Sequence, residues 1–142
     1  MRYDWKETVK FEEFSEAFYK AIDGRFFENV YETMPNHRIP FDNLIDFAGL
    51  GTKNVLEIGV GNGSHAQLLA THAGSFTGID ITDYAIQSTK KRIEVFGLTA
   101  NITRMGTEHM AFKDSTFDFL WSWGAIHHSS NAEQIVKEIY RV

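Results

Sequence analysis

The spacing of apolar and polar positions changes near residue 50. Before it, Phe11, Phe14, Phe18 and Ile22 recur at helical intervals and predict one face of a helix. Asp23-Gly24 is expected to interrupt that helix, with Phe26 to Met34 forming another short one. Pro35 and Pro40 bracket an expected extended crossing, and Phe41 to Ala48 reads as a helix ending at Gly49. From residue 52 onward, short apolar runs alternate with helical patterns. Val55-Leu-Glu-Ile58 reads as a buried strand that enters a glycine-rich turn, and Ser64 to about Thr71 as the helix after it. Ser75 to Asp80 reads as a second strand, and Asp83 to Phe96 as a helix with Ala85, Ile86, Ile93 and Phe96 on its apolar side and Thr82 as N-cap. Phe117 to Trp123 reads as a later strand. A last helix, Asn131 to Arg141, buries Ile135, Val136 and Ile139 and opens on a capping box of Ser130 with Glu133.

Alternation of strand and helix is the signature of a parallel sheet with right-handed crossovers. The expected organisation is therefore an N-terminal helical cap, residues 1–50, followed without a linker by an α/β domain, residues 51–142.

The chemistry concentrates in the turn after the first strand, where Glu57 is followed by Gly59, Val60, Gly61, Asn62, Gly63 and Ser64. Glycines there allow positive φ and a close approach of backbone to a ligand, and the next helix points free N–H groups into the same space. The spacing differs from the dinucleotide fingerprint, G-x-G-x-x-G or -A, because the sixth position is Ser64 and the third glycine comes early. No G-x-x-x-x-G-K-[ST] run is present, which excludes a P-loop. Glu57 suits a cationic ligand better than a pyrophosphate. Asp80 ends the second strand about twenty residues on, where a Rossmann-type fold places the carboxylate that accepts ribose hydroxyls.

Glu-x-Gly-x-Gly-x-Gly resembles motif I of the class I S-adenosylmethionine-dependent methyltransferases. A later block, Met110-Ala-Phe112, Asp114-Ser-Thr-Phe-Asp118 and Ile126-His-His128, is similar to that family's "Leu-Pro-Phe, acid, Ser-Phe-Asp … Leu-His-His" pattern. The blocks span residues 52–142 and resemble the group of ubiquinone-biosynthesis-like and small-molecule enzymes. One departure is that Gly106 stands where the family often has an Asp for the adenine amino group, leaving Thr107 and Glu108 or backbone groups to hold that edge.

The resemblance implies an α/β, Rossmann-like parallel sheet of order 3-2-1-4, with strands 5-7-6 of the family missing, and N-terminal helices. It implies S-adenosylmethionine as cofactor and a small-molecule methyl acceptor. Backbone groups around Gly59, Val60, Gly61 and Gly63 would hold the methionine moiety, with Glu57 orienting the loop. Asp80 would bind ribose, Ile81 and Met110 would sandwich adenine, and Trp121, Ser122 and Trp123, up to Gly124, would border the methyl group. His127 or His128 would be the candidate general base for an oxygen or nitrogen acceptor. His65 and His109 read as loop or helix-surface residues.

Composition narrows the classes further. Net charge is −5, which argues against a nucleic-acid partner, whose binders usually show a basic face. Apolar residues make up 43%, enough for a globular core, and no apolar run approaches the roughly 18 residues that span a membrane. With no cysteine, disulfides and thiolate metal sites are excluded, and no His/Asp/Glu cluster has metal-ligand spacing. The opening residues lack the apolar core of a signal peptide, so a cytoplasmic enzyme is the expectation. The rings of Trp5, Phe11, Phe14, Phe18, Tyr19, Phe26, Phe27 and Tyr31 have two readings: packing of helices onto the sheet, or a lid over the acceptor.

In the family, Ile139-Tyr-Arg-Val142 is followed by more strands, which gives the expectation of a truncated chain with strand 4 at a bare edge and a homo-oligomer through that edge or face. The functional alternatives to a methyltransferase are a nicotinamide-dependent oxidoreductase and a non-catalytic S-adenosylmethionine-binding fragment.

Overall fold

The computed structural model describes residues 10–33 and 41–142, with side chains through residue 27 in the first stretch. The chain forms two compact units, Met1–Asp46 and Phe47–Val142.

In the first unit, α1 runs Glu16–Thr33 without a break. Ser15 Oγ accepts from Phe18 N at 3.1 Å and starts it. Asp23-Gly24 does not interrupt the helix, because one glycine costs only about 1 kcal/mol and flanking residues outweigh it. The helical face begins later than its spacing predicts: Phe11 is exposed, and Phe14 has φ 67 and precedes the helix. Phe18, Tyr19 and Ile22 are buried, with Phe18 edge-on to Phe14 and Tyr19. Phe41 to Ala48 does not form a helix. Phe41 has φ 67 and starts a turn, closed by Leu44 N and Ile45 N on its carbonyl, and a 3-10 turn follows in the second unit at Phe47–Leu50. The Pro35–Pro40 crossing, Trp5 and the side chain of Tyr31 lie outside the described residues.

The second unit holds β1 (Asn54–Ile58), α2 (Ser64–His72), β2 (Ser75–Asp80), α3 (Asp83–Val95), β3 (Asn101–Arg104), β4 (Phe119–Ser122) and α4 (Ala132–Arg141). Among the described residues the strands form one parallel sheet of order β3-β2-β1-β4. Glu57 stands opposite Gly78 on one side and Trp121 on the other. β4 is shorter than Phe117 to Trp123 and lies at the sheet edge, paired to β1.

Successive β1 residues face opposite sides of the sheet. Leu56 and Ile58 join Ile79, Met110 and Val142 in one buried cluster, closed by Met105, Phe112 and Phe117 of the 105–118 crossing, Leu120 of β4 and Ile139 of α4. Glu57 faces the other side, toward His65 of α2. Right-handed crossovers explain the arrangement: β1 to β2 to β3 steps one way and puts α2 and α3 together, whereas the return to β4 crosses the opposite face.

That crossing is held by Arg141, which donates to the carbonyls of Met110 and Phe112, to Asp114 and to Glu138. The Arg141 bonds and the Met110 N–H hold the Glu138 carboxyl at about 2. The N-cap of α4 is Asn131, one residue later than the Ser130 box; its side chain accepts from Gln134 N at 3.3 Å. Asn131→Ala is expected to lower the free energy of unfolding by about 1 kcal/mol in a urea titration. No helix among the described residues is long and apolar enough to cross a membrane.

Candidate functional site

At the C-terminal ends of β1, β2 and β4, the unit opens into a cleft of about 990 Å³. Gly59 and Gly61 form one wall, Asp80, Ile81 and Thr82 a second, Gly106 to His109 a third, and Trp123 to Ile126 with His128 to Ser130 a fourth, over Ile58 and Ile135. A crevice beyond the carboxyl ends of parallel strands, where strand order reverses about β1, is where α/β sheets bind ligands. The volume lies at the upper end of the range that encloses a drug-sized ligand.

The glycine loop is fixed on every side. Gly59 N and Val60 N both donate to Ile79 O, at 2.8 and 3.3 Å. Gly63 N closes a turn on Val60 O at 2.8 Å. Gly59, Gly61 and Gly63 all have positive φ. From α3, Thr89 Oγ1 donates to Gly61 O at 3.2 Å and Arg92 Nη1 to Asn62 O at 3.3 Å.

Asp80 joins the loop to β2. Its Oδ2 accepts from Gly61 N at 3.2 Å, and its Oδ1 from Thr82 N and Thr82 Oγ1, both at 2.9 Å. A carboxylate has about four acceptor positions. One therefore stays available on Oδ2 for a hydroxyl in the cleft. Thr82 also caps α3, accepting from Ala85 N at 3.3 Å.

Behind the loop, Glu57 is 2% exposed and its Oε2 makes no hydrogen bond among the described residues. Burial raises its carboxyl well above the usual range; the Arg92 charge lowers it in part, and Asp80 raises it further. His65 is buried in α2, not on a surface, and its Nδ1 accepts the Trp121 indole N–H at 3.1 Å. Burial first, and then the Arg92 charge, lower His65 to about 4. The 3.8 Å approach of Glu57 Oε1 to His65 Nδ1 is therefore not an ion pair at neutral pH. The Trp121 and Trp123 rings stack at 6.0 Å and 8°, with His65 edge-on to both.

A methyltransferase-domain family model matches residues 56–142. The chain belongs to this family. It is 34% identical over 95 residues to a phthiotriol/phenolphthiotriol dimycocerosates methyltransferase of Mycobacterium tuberculosis, covering 66% of this chain and 34% of that one. It is 31% identical over 93 residues to 24-methylenesterol C-methyltransferase 3 of Arabidopsis thaliana, covering 63% and 26%. Among solved structures, it is similar to an arsenic(III) S-adenosylmethionine methyltransferase of Chlamydomonas reinhardtii, at TM-score 0.61 and 25% identity over 69% of this chain and 37% of that one. The chain thus spans about a third or less of the length of the curated relatives it matches.

Membership of this methyltransferase family makes S-adenosylmethionine the cofactor against which the cleft is tested, and the residues present fit it. Asp80 keeps an acceptor for a ribose hydroxyl, and a Cβ on Gly61 would stand in open space, so backbone meets the cleft there directly. Of the residues picked out in the sequence, Gly59, Gly61, Asp80, Ile81, Thr107, Glu108, Trp123 and His128 line the cleft. Glu57, Val60, Gly63, Met110, Trp121, Ser122 and His127 do not. Val60 is buried, its Cγ1 filling the place a side chain on Gly78 would take. Met110 belongs to the core cluster, and its N–H donates to Glu138 at 2.6 Å. Ser122 Oγ donates to Ile58 O at 3.1 Å. Glu108 is engaged on both its groups: its carboxylate accepts from Ser129 Oγ and its carbonyl from Gln134 Nε2. The His127 and His128 rings lie 4.0 Å apart in a 3-10 turn after β4, and the lining includes His128.

Sequence reasoning missed Gly106, His109, Ile126, Ser129 and Ile135 as lining residues, and Thr89 and Arg92 as supports of the loop. The last two left a signal. Both fall on the buried side of α3 with Ala85, and a charged residue in a buried stripe is out of place unless something pairs with it.

Proposed function

We propose that this chain carries the S-adenosylmethionine site of a methyltransferase acting on a small-molecule acceptor. The observation that carries the reading is the Asp80 carboxylate, which reaches from β2 across to Gly61 N, lines the cleft and has one acceptor position left over after its three bonds. When bound, the cofactor supplies an activated methyl group for in-line displacement. The residues of this chain bind, orient and exclude water. Gly59 and Gly61 present backbone to the methionine end. Asp80 takes the ribose hydroxyls and Ile81 covers one adenine face, while Thr107 and the backbone N–H of Glu108 hold the adenine edge. Glu57 and Val60 shape the loop from behind, and Trp121 backs Trp123, which walls the space beyond the methyl.

His128, which lines the cleft, is our candidate to take a proton from an oxygen or nitrogen acceptor. Ile81, Trp123, Ile126 and Ile135 make the walls largely apolar, which suits an acceptor with an apolar body. The dimycocerosate and sterol named for two relatives are of that kind.

Calorimetric titration with S-adenosylmethionine tests the reading. Asp80→Ala is expected to weaken binding about tenfold to a hundredfold, the worth of hydrogen bonds to a charged group. Unchanged affinity in that variant, or tighter binding of a nicotinamide dinucleotide by the unaltered chain, would count against it.

A further inference from the structure

Arg92 is the least expected residue in the core. It lies in the last turn of α3, is 0% exposed, and bonds to residues about thirty positions earlier. Its Nε donates to Gln67 Oε1 of α2 at 2.8 Å, and its Nη1 to Asn62 O and Ser64 Oγ, each at 3.3 Å. One turn earlier on the same helix, Thr89 Oγ1 takes the carbonyl of Gly61. Two successive loop carbonyls, those of Gly61 and Asn62, are therefore turned back toward α3.

A peptide is planar and its C=O and N–H point in opposite directions. Thr89, by pulling the Gly61 carbonyl back toward α3, aims the Asn62 N–H away from α3, and Arg92 fixes the next peptide, whose Gly63 N–H closes the turn on Val60 O. The packing leaves no slack for this arrangement. A Cβ on Gly63 would lie 3.0 Å from Arg92 Cδ and 3.0 Å from Thr89 Oγ1, so the third glycine of the motif makes room for the side chains that brace the loop.

Burying a guanidinium is costly, and a hydrocarbon of similar volume would fill this space at less cost. What a hydrocarbon lacks is a planar set of donors able to fix two elements and a loop carbonyl at once. We propose that Arg92 is a positioning residue that sets the glycine loop for the amino-acid end of the cofactor, acting through the loop backbone without touching the cofactor. The inference rests on the S-adenosylmethionine reading of the cleft.

The two ends of that cofactor rest on different parts of the fold, joined only where Asp80 Oδ2 accepts from Gly61 N. The loop serves the amino-acid end, whereas Asp80 and Ile81 on the β2 side serve the nucleoside end. Disturbing Arg92 should therefore separate two ligands that share the nucleoside: S-adenosylmethionine, which carries the amino-acid arm and with it the sulfonium charge, and 5′-methylthioadenosine, a neutral thioether without that arm.

The experiment is calorimetric titration of both ligands against the full chain and against Arg92→Lys, Arg92→Met and Gln67→Met. In Arg92→Met, S-adenosylmethionine affinity is expected to fall about tenfold or more, the worth of a charged hydrogen bond, with methylthioadenosine affinity held within about twofold. Arg92→Lys keeps the charge without the fork and should fall between wild type and Met. Gln67→Met leaves Arg92 in place and removes the 2.8 Å bond from its Nε, so it tests the same split if Arg92→Met does not fold; a selective loss of about threefold is expected there. A merely structural role would weaken both ligands in the same proportion, or neither, and either result overturns the proposal. If the unaltered chain does not bind S-adenosylmethionine, the proposed function fails together with this inference; if it binds but the variants show no split, the inference fails alone.

Discussion

Gly59→Val is expected to abolish tight cofactor binding and to destabilise the second unit by roughly 2–5 kcal/mol. The φ of Gly59 is +82, in the left-handed region, where a residue with a Cβ costs about 1–2 kcal/mol. That Cβ would also stand 2.4 Å from the Cβ of Ala125, so the segment after β4 must move, and overpacking of this kind costs about 1–3 kcal/mol. Valine adds a branch at the point of contact. Gly59 and Ala125 both line the cleft, so the same displacement that relieves the clash deforms the site. A loss of S-adenosylmethionine affinity of at least about thirtyfold should follow, tenfold corresponding to about 1.4 kcal/mol. Calorimetry and urea unfolding on the same sample check both halves. A variant that unfolds at the wild-type urea midpoint would contradict the steric argument.

The second large effect is loss of stability in acid through His65. The fold holds its pKa at about 4, against 6.5 for the free side chain, because burial and the Arg92 charge disfavour the imidazolium. A lowered value means that the neutral form is the folded one. The contribution of His65 is therefore complete above pH 6.5 and is lost as pH falls toward 4. At roughly 1.4 kcal/mol per pH unit, the loss across that window is about 3 kcal/mol. Glu57 acts in the opposite sense. Its raised value makes its contribution present below 4.5 and lost as pH rises through the folded value, so the two groups partly cancel in the unaltered chain. His65→Gln keeps an acceptor for Trp121 but does not titrate. Urea unfolding from pH 4 to 7 should show the wild type losing about 3 kcal/mol more than this variant toward the acid end. Parallel pH profiles would refute the assignment.

Much of the second unit was legible because its signals are local. Alternating strands and helices, Thr82 before α3 and the glycines at 59, 61 and 63 depend on neighbours only a few residues away. The first unit was misread where a local signal lost to context: Gly24 sits within α1, and Phe41 opens a turn instead of a helix. For the site, Asp80 was readable as a strand-end acid about twenty residues past the glycine loop, whereas its bond from Gly61 N was not. Met110 was not, because a residue in the β3–β4 crossing can lie on either side of the sheet, and only the Leu56–Ile79 cluster and Glu138 draw it inward.

By itself the sequence determined the parallel sheet and the glycine loop at the end of its first strand, since spacing, turn chemistry and strand-end acids are written in consecutive residues; the strand order came only through the resemblance to the family. The tertiary structure alone decided which side chains face that cleft and which brace it from behind. Arg92 meets Asn62 and His65 meets Trp121 across dozens of positions. Desolvation, which turns His65 from a titrating surface group into a neutral buried one, exists only once α2 has closed over the sheet.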